Sequence, residues 1–260
     1  MDNNIIEAGS VALAADSNGI GTITFAHPLS NSLPGKLLRK LARTIEEAGE
    51  NPAITVIVLR SEGEKAFCAG ASFDELVSID NLEQGKVFFS GFAAVINAMR
   101  KAPKFVLCRV QGKAVGGGVG LASAADYTLA TTKADVKLSE LAVGIGPFVV
   151  GPAVERKIGT SAFTQLSIDA TSWKPADWAR EKGLYTACFD SLEELDAALD
   201  TLALQLAKSN PEAMRMLKKV FWEGTEHWDQ LLIERAEMSG TLVLSDFTRN
   251  AISKFKKGER

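Results

Sequence analysis

Two runs of small residues concentrate the chemistry this chain could perform. The first is Ala66-Phe67-Cys68-Ala69-Gly70-Ala71-Ser72-Phe73-Asp74-Glu75-Leu76, just after an apolar β-branched run. Its small side chains leave the backbone open to close approach by a ligand. The second is Gln111-Gly112-Lys113-Ala114-Val115-Gly116-Gly117-Gly118-Val119-Gly120-Leu121, between an expected strand and an expected helix. Three successive glycines at a helix start cost roughly 0.5–1 kcal/mol each against alanine, so something must offset them. A helix N-terminus presents unpaired N–H groups and partial positive charge, which suit an anion or a developing oxyanion. Two such loops, each offering one N–H, would make an oxyanion hole. The same residues also fit two other readings, tight strand-to-helix packing and a phosphate cradle. Against the cradle, the Lys-Ser/Thr ending of a P-loop and the G-x-G-x-x-G pattern are both missing.

Other reactive residue types are sparse. His27 and His227 cannot build a His-rich metal site. Cys68, Cys108 and Cys188 are far apart and odd in number. They give neither a metal spacing nor a disulfide framework, which points to a reducing, cytoplasmic compartment. A net charge of −3 argues against a nucleic-acid binder but leaves room for a small anionic ligand. No apolar run is long enough to span a membrane. The first ten residues carry no basic and apolar regions of a secretory signal. At 260 residues, 46% of them hydrophobic, the chain fits one large domain or two modest ones.

The elements that must hold these loops follow from patterning. Ser10–Ala14 and Ile20–Phe25 read as strands around the turn Asp16-Ser17-Asn18-Gly19. Pro34–Glu50 has helical spacing and is stopped by Asn51-Pro52; Gln84–Lys101 has it too. Ile54–Leu59 and Phe105–Val110 are continuous apolar runs, expected for strands buried on both faces. The glycine cluster leads into an alanine-rich helix at about Gly117–Ala125, then a short strand at Tyr127–Ala130. Beyond Leu138 strands are scarce, apart from a short one near Leu184–Phe189. Gly151–Ile158, Ser161–Ile168, Pro175–Lys182, Leu192–Ser209, Pro211–Val220 and the chain from Glu226 onward read helical. Asp190-Ser191 is an N-cap signal. The pattern predicts an α/β core with a helical C-terminal part.

At the two glycine segments the sequence resembles the crotonase superfamily, the enoyl-CoA hydratase/isomerase family. The resemblance rests on AFCAGASFDEL, VQGKAVGGGVGLASAADYTLA and LSELAVGIGP, then ATSWKPADWAREKGLYTACF and SNPEAMRMLKKV, in family order over nearly the whole chain. It implies a spiral of β-β-α units over residues 1–195 and a C-terminal helical region over 196–260 that helps form homotrimers or dimers of trimers. It implies an acyl-CoA thioester as ligand, with coenzyme A belonging to the substrate and no further cofactor or metal. The backbone N–H groups of Ala71 and Gly117 would hold the thioester oxygen and stabilise an enolate. Ala69, Gly70, Gly116 and Gly120 would flank the bound acyl group, and Phe148, with Val149 and Val150, would line its pocket. Lys65, Lys104 and Lys256 are candidates to meet the CoA phosphates.

The resemblance also sets the acid–base residues. Hydratases of the family carry two glutamates that hold a water. The first position is Gly120 here, so that carboxylate is missing; the second is Glu140 and is present. The nucleophilic aspartate of an aromatic dehalogenating relative corresponds to Phe148, so that chemistry is absent. A single glutamate beside an enolate-stabilising hole suits moving a proton between two carbons, converting a 3-enoyl-CoA to a 2-enoyl-CoA. Hydration, including that of a branched substrate such as methylglutaconyl-CoA, would need a second group for the water: Glu75, Asp74 or Ser139. A non-catalytic acyl-CoA-binding protein is the reading from another class. Other conspicuous residues have structural readings: Asp126 as a backbone-pairing acid, Cys68 as a small buried hydrophobe, and Phe221, Trp222, His227 and Trp228 as packing or subunit-contact residues.

Overall fold

The fold comes from a computed structural model that describes residues 8–256, with side chains at the C-terminal end only as far as residue 254. The residues before Ala8, read above for a secretion signal, and the Lys256 side chain lie outside the described residues. Strands β1 (Ser10–Ala15) and β2 (Ile20–Ala26) form the expected antiparallel hairpin. Asp16 Oδ1 closes its turn by accepting from the N–H groups of Asn18 and Ile20, both at 2.9 Å. Helix α1 (Gly35–Glu50) then leads to β3 (Val56–Ser61), which pairs with β2 in parallel.

From β3 onward the chain runs as a spiral. After β3 come β4 (Ala66–Cys68), α2 (Phe73–Ser78) and α3 (Leu82–Lys101); after β5 (Val106–Val110) come β6 (Lys113–Val115) and α4 (Gly117–Ala124). After β7 (Tyr127–Thr131) come β8 (Val136–Lys137), a 3-10 turn at Leu141–Val143, and α5 (Gly151–Ile168). Each pass gives one strand to each of two sheets. The larger sheet has order β1-β2-β3-β5-β7-β9, with β9 at Ala187–Phe189; the smaller is β4-β6-β8, all parallel. The strands of the smaller sheet have three residues or fewer and leave no period in the sequence; the first two lie within the segments read above as loops. A Cβ on Gly112 would lie 1.8 Å from Lys65 O, so only glycine lets β6 enter beside β4. Helix α5 spans both helices expected at 151–158 and 161–168. Gly159, at φ +76°, breaks the helical backbone between them.

Helices α6 (Ala176–Glu181), α7 (Leu192–Ala207), α8 (Pro211–Phe221), α9 (Trp228–Leu242) and α10 (Asp246–Lys256) complete the chain. Ser191 caps α7 by accepting from Glu194 N, as expected. The division expected at 195/196 falls inside α7. That helix packs Leu195, Leu199 and Ala203 onto Val56, Val58, Leu107 and Leu129 of the larger sheet, and Arg109 Nε donates to Asp196 Oδ1 at 2.5 Å. The sheet and the helix share one core, so no boundary lies there. Helix α9 crosses α3 at two glycines: a Cβ on Gly85 would stand 2.8 Å from Gly240 Cα.

Asp126 is structural. Its Oδ2 accepts from Val106 N at 2.7 Å and Lys218 Nζ at 2.5 Å, and its Oδ1 accepts from Trp222 Nε1 at 2.9 Å. It ties β5 to α8. Trp222 meets Trp228 edge to face, with Trp228 buried and Phe221 half exposed against Phe105. His227 is exposed.

Candidate active site

The two glycine loops and the segment after β8 meet around one cavity, with about 580 Å³ of empty space including its mouth. Gly70 brings the loops together. It stands at φ +85°, and a Cβ there would lie 2.8 Å from Val115 O and 3.4 Å from Gly117 N. Gly118 seals the junction, since its Cβ would strike Cys68 O at 2.7 Å. The packing reading of the glycines therefore holds: close packing sets where the backbone of the two loops lies.

Around Ala71 the backbone is pinned from both sides. Leu33 N donates to Gly70 O at 2.8 Å and Ser72 N to Leu33 O at 3.4 Å. The N–H of Ala71 lies between them and meets no acceptor among the described residues. Gly117 is the first residue of α4, so its N–H has no intrahelical acceptor. Both residues line the cavity. Two unpaired backbone donors at one apolar cavity can receive a carbonyl oxygen and the charge that develops on it.

Glu140 also lines the cavity. Its carbonyl accepts from Val143 N at 3.2 Å and Ile145 N at 2.9 Å, which holds the 3-10 turn above the α4 N-terminus. Its carboxylate lies against Gly116, where a Cβ would stand 2.8 Å from Oε1. Gly116 is at φ +51°, and its N–H donates to Lys137 O at 2.9 Å. The residue as a whole is part-exposed, yet Oε2 is buried with no hydrogen-bond partner among the described residues. Burial pushes the carboxyl from 4.5 up to about 7, opposed only by a hydrogen bond from its own backbone.

Most other expected residues fall where the sequence put them. Ala69, Gly70, Gly116, Phe148, Val149 and Val150 line the cavity, and Ser139 joins them. Gly120 does not. A Cβ there would lie 2.5 Å from Val150 Cγ1, so Gly120 sits behind Val150, and the valine fills the space a side chain from position 120 would need. Lys104 is also corrected: its Nζ donates to Ala48 O at 2.9 Å and Asn51 O at 2.5 Å, fastening the end of α1. Lys65 is exposed and outside the lining. Glu75 is a backbone anchor, its Oε2 accepting from Gly35 N at 2.7 Å. Neither Glu75 nor Asp74 lines the cavity, which leaves Glu140 as its one carboxylate among the described residues.

The cavity also takes residues that the sequence did not suggest. Phe89 and Phe92 come from α3, Val143 and Ile145 from the turn after Glu140, and Ser239 from α9. The Gly85–Gly240 crossing brings α9 near enough for the buried Ser239 to reach the cavity, and only the paired glycines hinted at it. Cys68 is inert, its thiol pushed up to about 12 by burial.

A spiral of β-β-α units feeding two sheets is the crotonase fold. Comparison with known proteins agrees. The sequence profile of the family "Enoyl-CoA hydratase/isomerase" matches residues 15–256, and the chain belongs to that family. By that family it falls in the crotonase superfamily. Human mitochondrial methylglutaconyl-CoA hydratase is 32% identical over 201 residues, covering 75% of this chain and 58% of that protein. The match thus spans less than two thirds of that relative's length. The short-chain-enoyl-CoA hydratase of Clostridium acetobutylicum is 25% identical, covering 96% of this chain and 95% of that one. The crystal structure of an enoyl-CoA hydratase from Bacillus halodurans superposes with a TM-score of 0.86 at 20% identity, covering 94% of this chain and 98% of that one.

Proposed function

We propose that the enzyme shifts a carbon–carbon double bond, converting a 3-enoyl-CoA to a 2-enoyl-CoA, with Glu140 as its single acid–base group. The thioester oxygen accepts from the N–H groups of Ala71 and Gly117. The Glu140 carboxylate takes a proton from C2, and the electron pair spreads over C2 to C4 and the thioester oxygen, where the two donors stabilise it. The protonated Glu140 returns the proton to C4, leaving the double bond between C2 and C3. The observation that carries this reading is one buried, unpartnered carboxylate in an apolar cavity. A carboxyl near 7 both takes and returns a proton without a deep trap on either side.

Hydration of a 2-enoyl-CoA is the second reading, favoured by the hydratase names of the relatives above. Ser139 and Ser239 are the cavity hydroxyls available to hold the water. The test offers 3-enoyl-CoA and 2-enoyl-CoA to wild type and to Glu140→Gln. Isomerisation as the faster reaction, lost by about 10²–10⁴-fold in the variant, is expected. Faster loss of the conjugated thioester absorbance from 2-enoyl-CoA would move hydration ahead. Full activity of Glu140→Gln on both would sink both readings.

The same proposal includes a homotrimer or a dimer of trimers acting in the cytoplasm, within fatty acid metabolism, and needing no cofactor beyond its substrate's coenzyme A. Met216, Leu217, Val220 and Phe221 of α8 are exposed apolar residues that support an assembly. Light scattering giving one chain's mass would refute it. No described helix is long and apolar enough to cross a membrane.

A further inference from the structure

Behind the catalytic cavity lies a second chamber, with about 710 Å³ of empty space including its mouth. Pro147 and Phe148 belong to the walls of both, so the two spaces adjoin at these residues. Phe148 is held there by its own turn. Its N–H donates to Gly146 O at 2.8 Å, and its ring folds back over Gly146, where a Cβ would lie 2.4 Å from Cζ. Helix α9 runs past both spaces. Ser239 lines the first; Arg235, one turn earlier, lines the second, and Ser239 Oγ donates to Arg235 O at 3.3 Å.

The second chamber has unspent polar groups. Ser167 Oγ is buried and has no partner among the described residues. A hydroxyl removed from water without a partner is a standing cost, which a ligand acceptor would remove. The Arg235 guanidinium meets Met238 Sδ at 3.7 Å and no carboxylate among the described residues. Glu155, on the same wall, is engaged by the Thr160 hydroxyl at 2.6 Å. Phe163 adds an apolar flank, and the chamber reaches solvent at Ile168, which is 70% exposed. A planar guanidinium and a free hydroxyl beside apolar wall suit a carboxylate on a hydrocarbon stem.

We propose that the acyl site continues past Phe148, and that the second chamber is a distal subsite for acyl thioesters whose far end carries a carboxylate, held by Arg235 and Ser167. This rests on the reading that the first cavity takes a CoA thioester. Phe148 then sets which acyl groups reach the subsite.

The test is calorimetric binding to Glu140→Gln protein, which needs no turnover. The probes are a ladder of saturated ω-carboxy acyl-CoAs and neutral acyl-CoAs of equal length. At the length that reaches the chamber, the carboxylated thioester should bind about ten- to hundredfold tighter, as for one charge-assisted contact. Adding Arg235→Gln should erase that preference, Arg235→Lys should keep part of it, and Ser167→Ala should shrink it. Phe148→Trp should weaken the long members of both series. Equal binding of charged and neutral members at every length overturns the proposal, as does a preference that survives Arg235→Gln. Equal binding of charged and neutral members to Glu140→Gln protein, with wild-type turnover of enoyl-CoA intact, removes the subsite alone. A preference in a wild type inactive on every enoyl-CoA removes the catalytic reading alone.

Discussion

Replacing Glu140 by glutamine should make the protein more stable and inactive, and the size of the stabilisation should depend on pH. A carboxyl moved by burial from 4.5 to about 7 carries roughly 3 kcal/mol of unfavourable ionisation free energy. Because the folded value lies above the unfolded one, the folded protein holds this proton more tightly. The contribution is fully present below 4.5, is lost as pH rises through 7, and stays constant above that. Glutamine never ionises, so Glu140→Gln and wild type should differ by a constant offset at low pH. Between pH 5 and 8 the difference should grow in the variant's favour by up to about 3 kcal/mol. For a chain of this size that corresponds to roughly 6–12 °C in thermal midpoint. The assay is denaturation of both proteins at equal concentration across that range, read as the pH dependence of the difference. The same ionisation should govern catalysis: kcat/KM for the double-bond shift should fall about tenfold per pH unit below pH 7, as the base becomes protonated. A difference in midpoint that does not change with pH would refute the assigned environment of Glu140. So would a rate limb centred near 4.5.

Three other substitutions probe the scaffold. Gly70→Ala forces a side chain into φ +85° and against Val115 O, so it should cost about 10²–10³ in kcat by shifting one oxyanion donor, with thioester binding largely kept in a titration. Gly120→Glu should destabilise the fold by about 1–3 kcal/mol through overpacking against Val150 and confer no hydration. Combined with Val150→Ala it should recover stability and gain activity on 2-enoyl-CoA, measured by loss of conjugated absorbance. Lys218→Met strands Asp126 in a site where the two side chains are 3% and 6% exposed, and should cost about 3–5 kcal/mol in urea denaturation. Adding Asp126→Asn should restore part of that loss, because the amide oxygen can still accept from Val106 or Trp222.

The sequence showed what depends on backbone and composition. Ile54–Leu59 and Phe105–Val110 read as buried strands because both faces are apolar, and they became β3 and β5 within two residues. Ala71 and Gly117, named from their places in the two motifs, both line the cavity. What stayed hidden depends on distant segments meeting. Strands β4, β6 and β8 are too short to show a period, yet they hold the two loops side by side. Phe92 and Ser239 reach the cavity from helices whose spacing reports only that they have a buried face. Arg235 lies in a stretch that the sequence marks only as helical.

Gly120 shows the limit most clearly, and it sharpens the chemistry. A motif offset tells where a missing carboxylate would begin but not what fills its place. Had the space above Gly120 stayed open, water could enter beside Glu140 and be oriented there. Val150 fills that space with a hydrocarbon side chain, and Val150 and Glu140 line the same cavity. Losing one acid and raising the pKa of the other are then a coupled change: an apolar wall removes a water-holding group and leaves the remaining carboxyl poised near 7. If that coupling holds, Val150→Ala alone should lower the pH midpoint of the kcat/KM profile, because water reaching Glu140 stabilises its ionised form. An unchanged midpoint in that variant would separate the two effects and leave burial by the rest of the cavity wall as the cause.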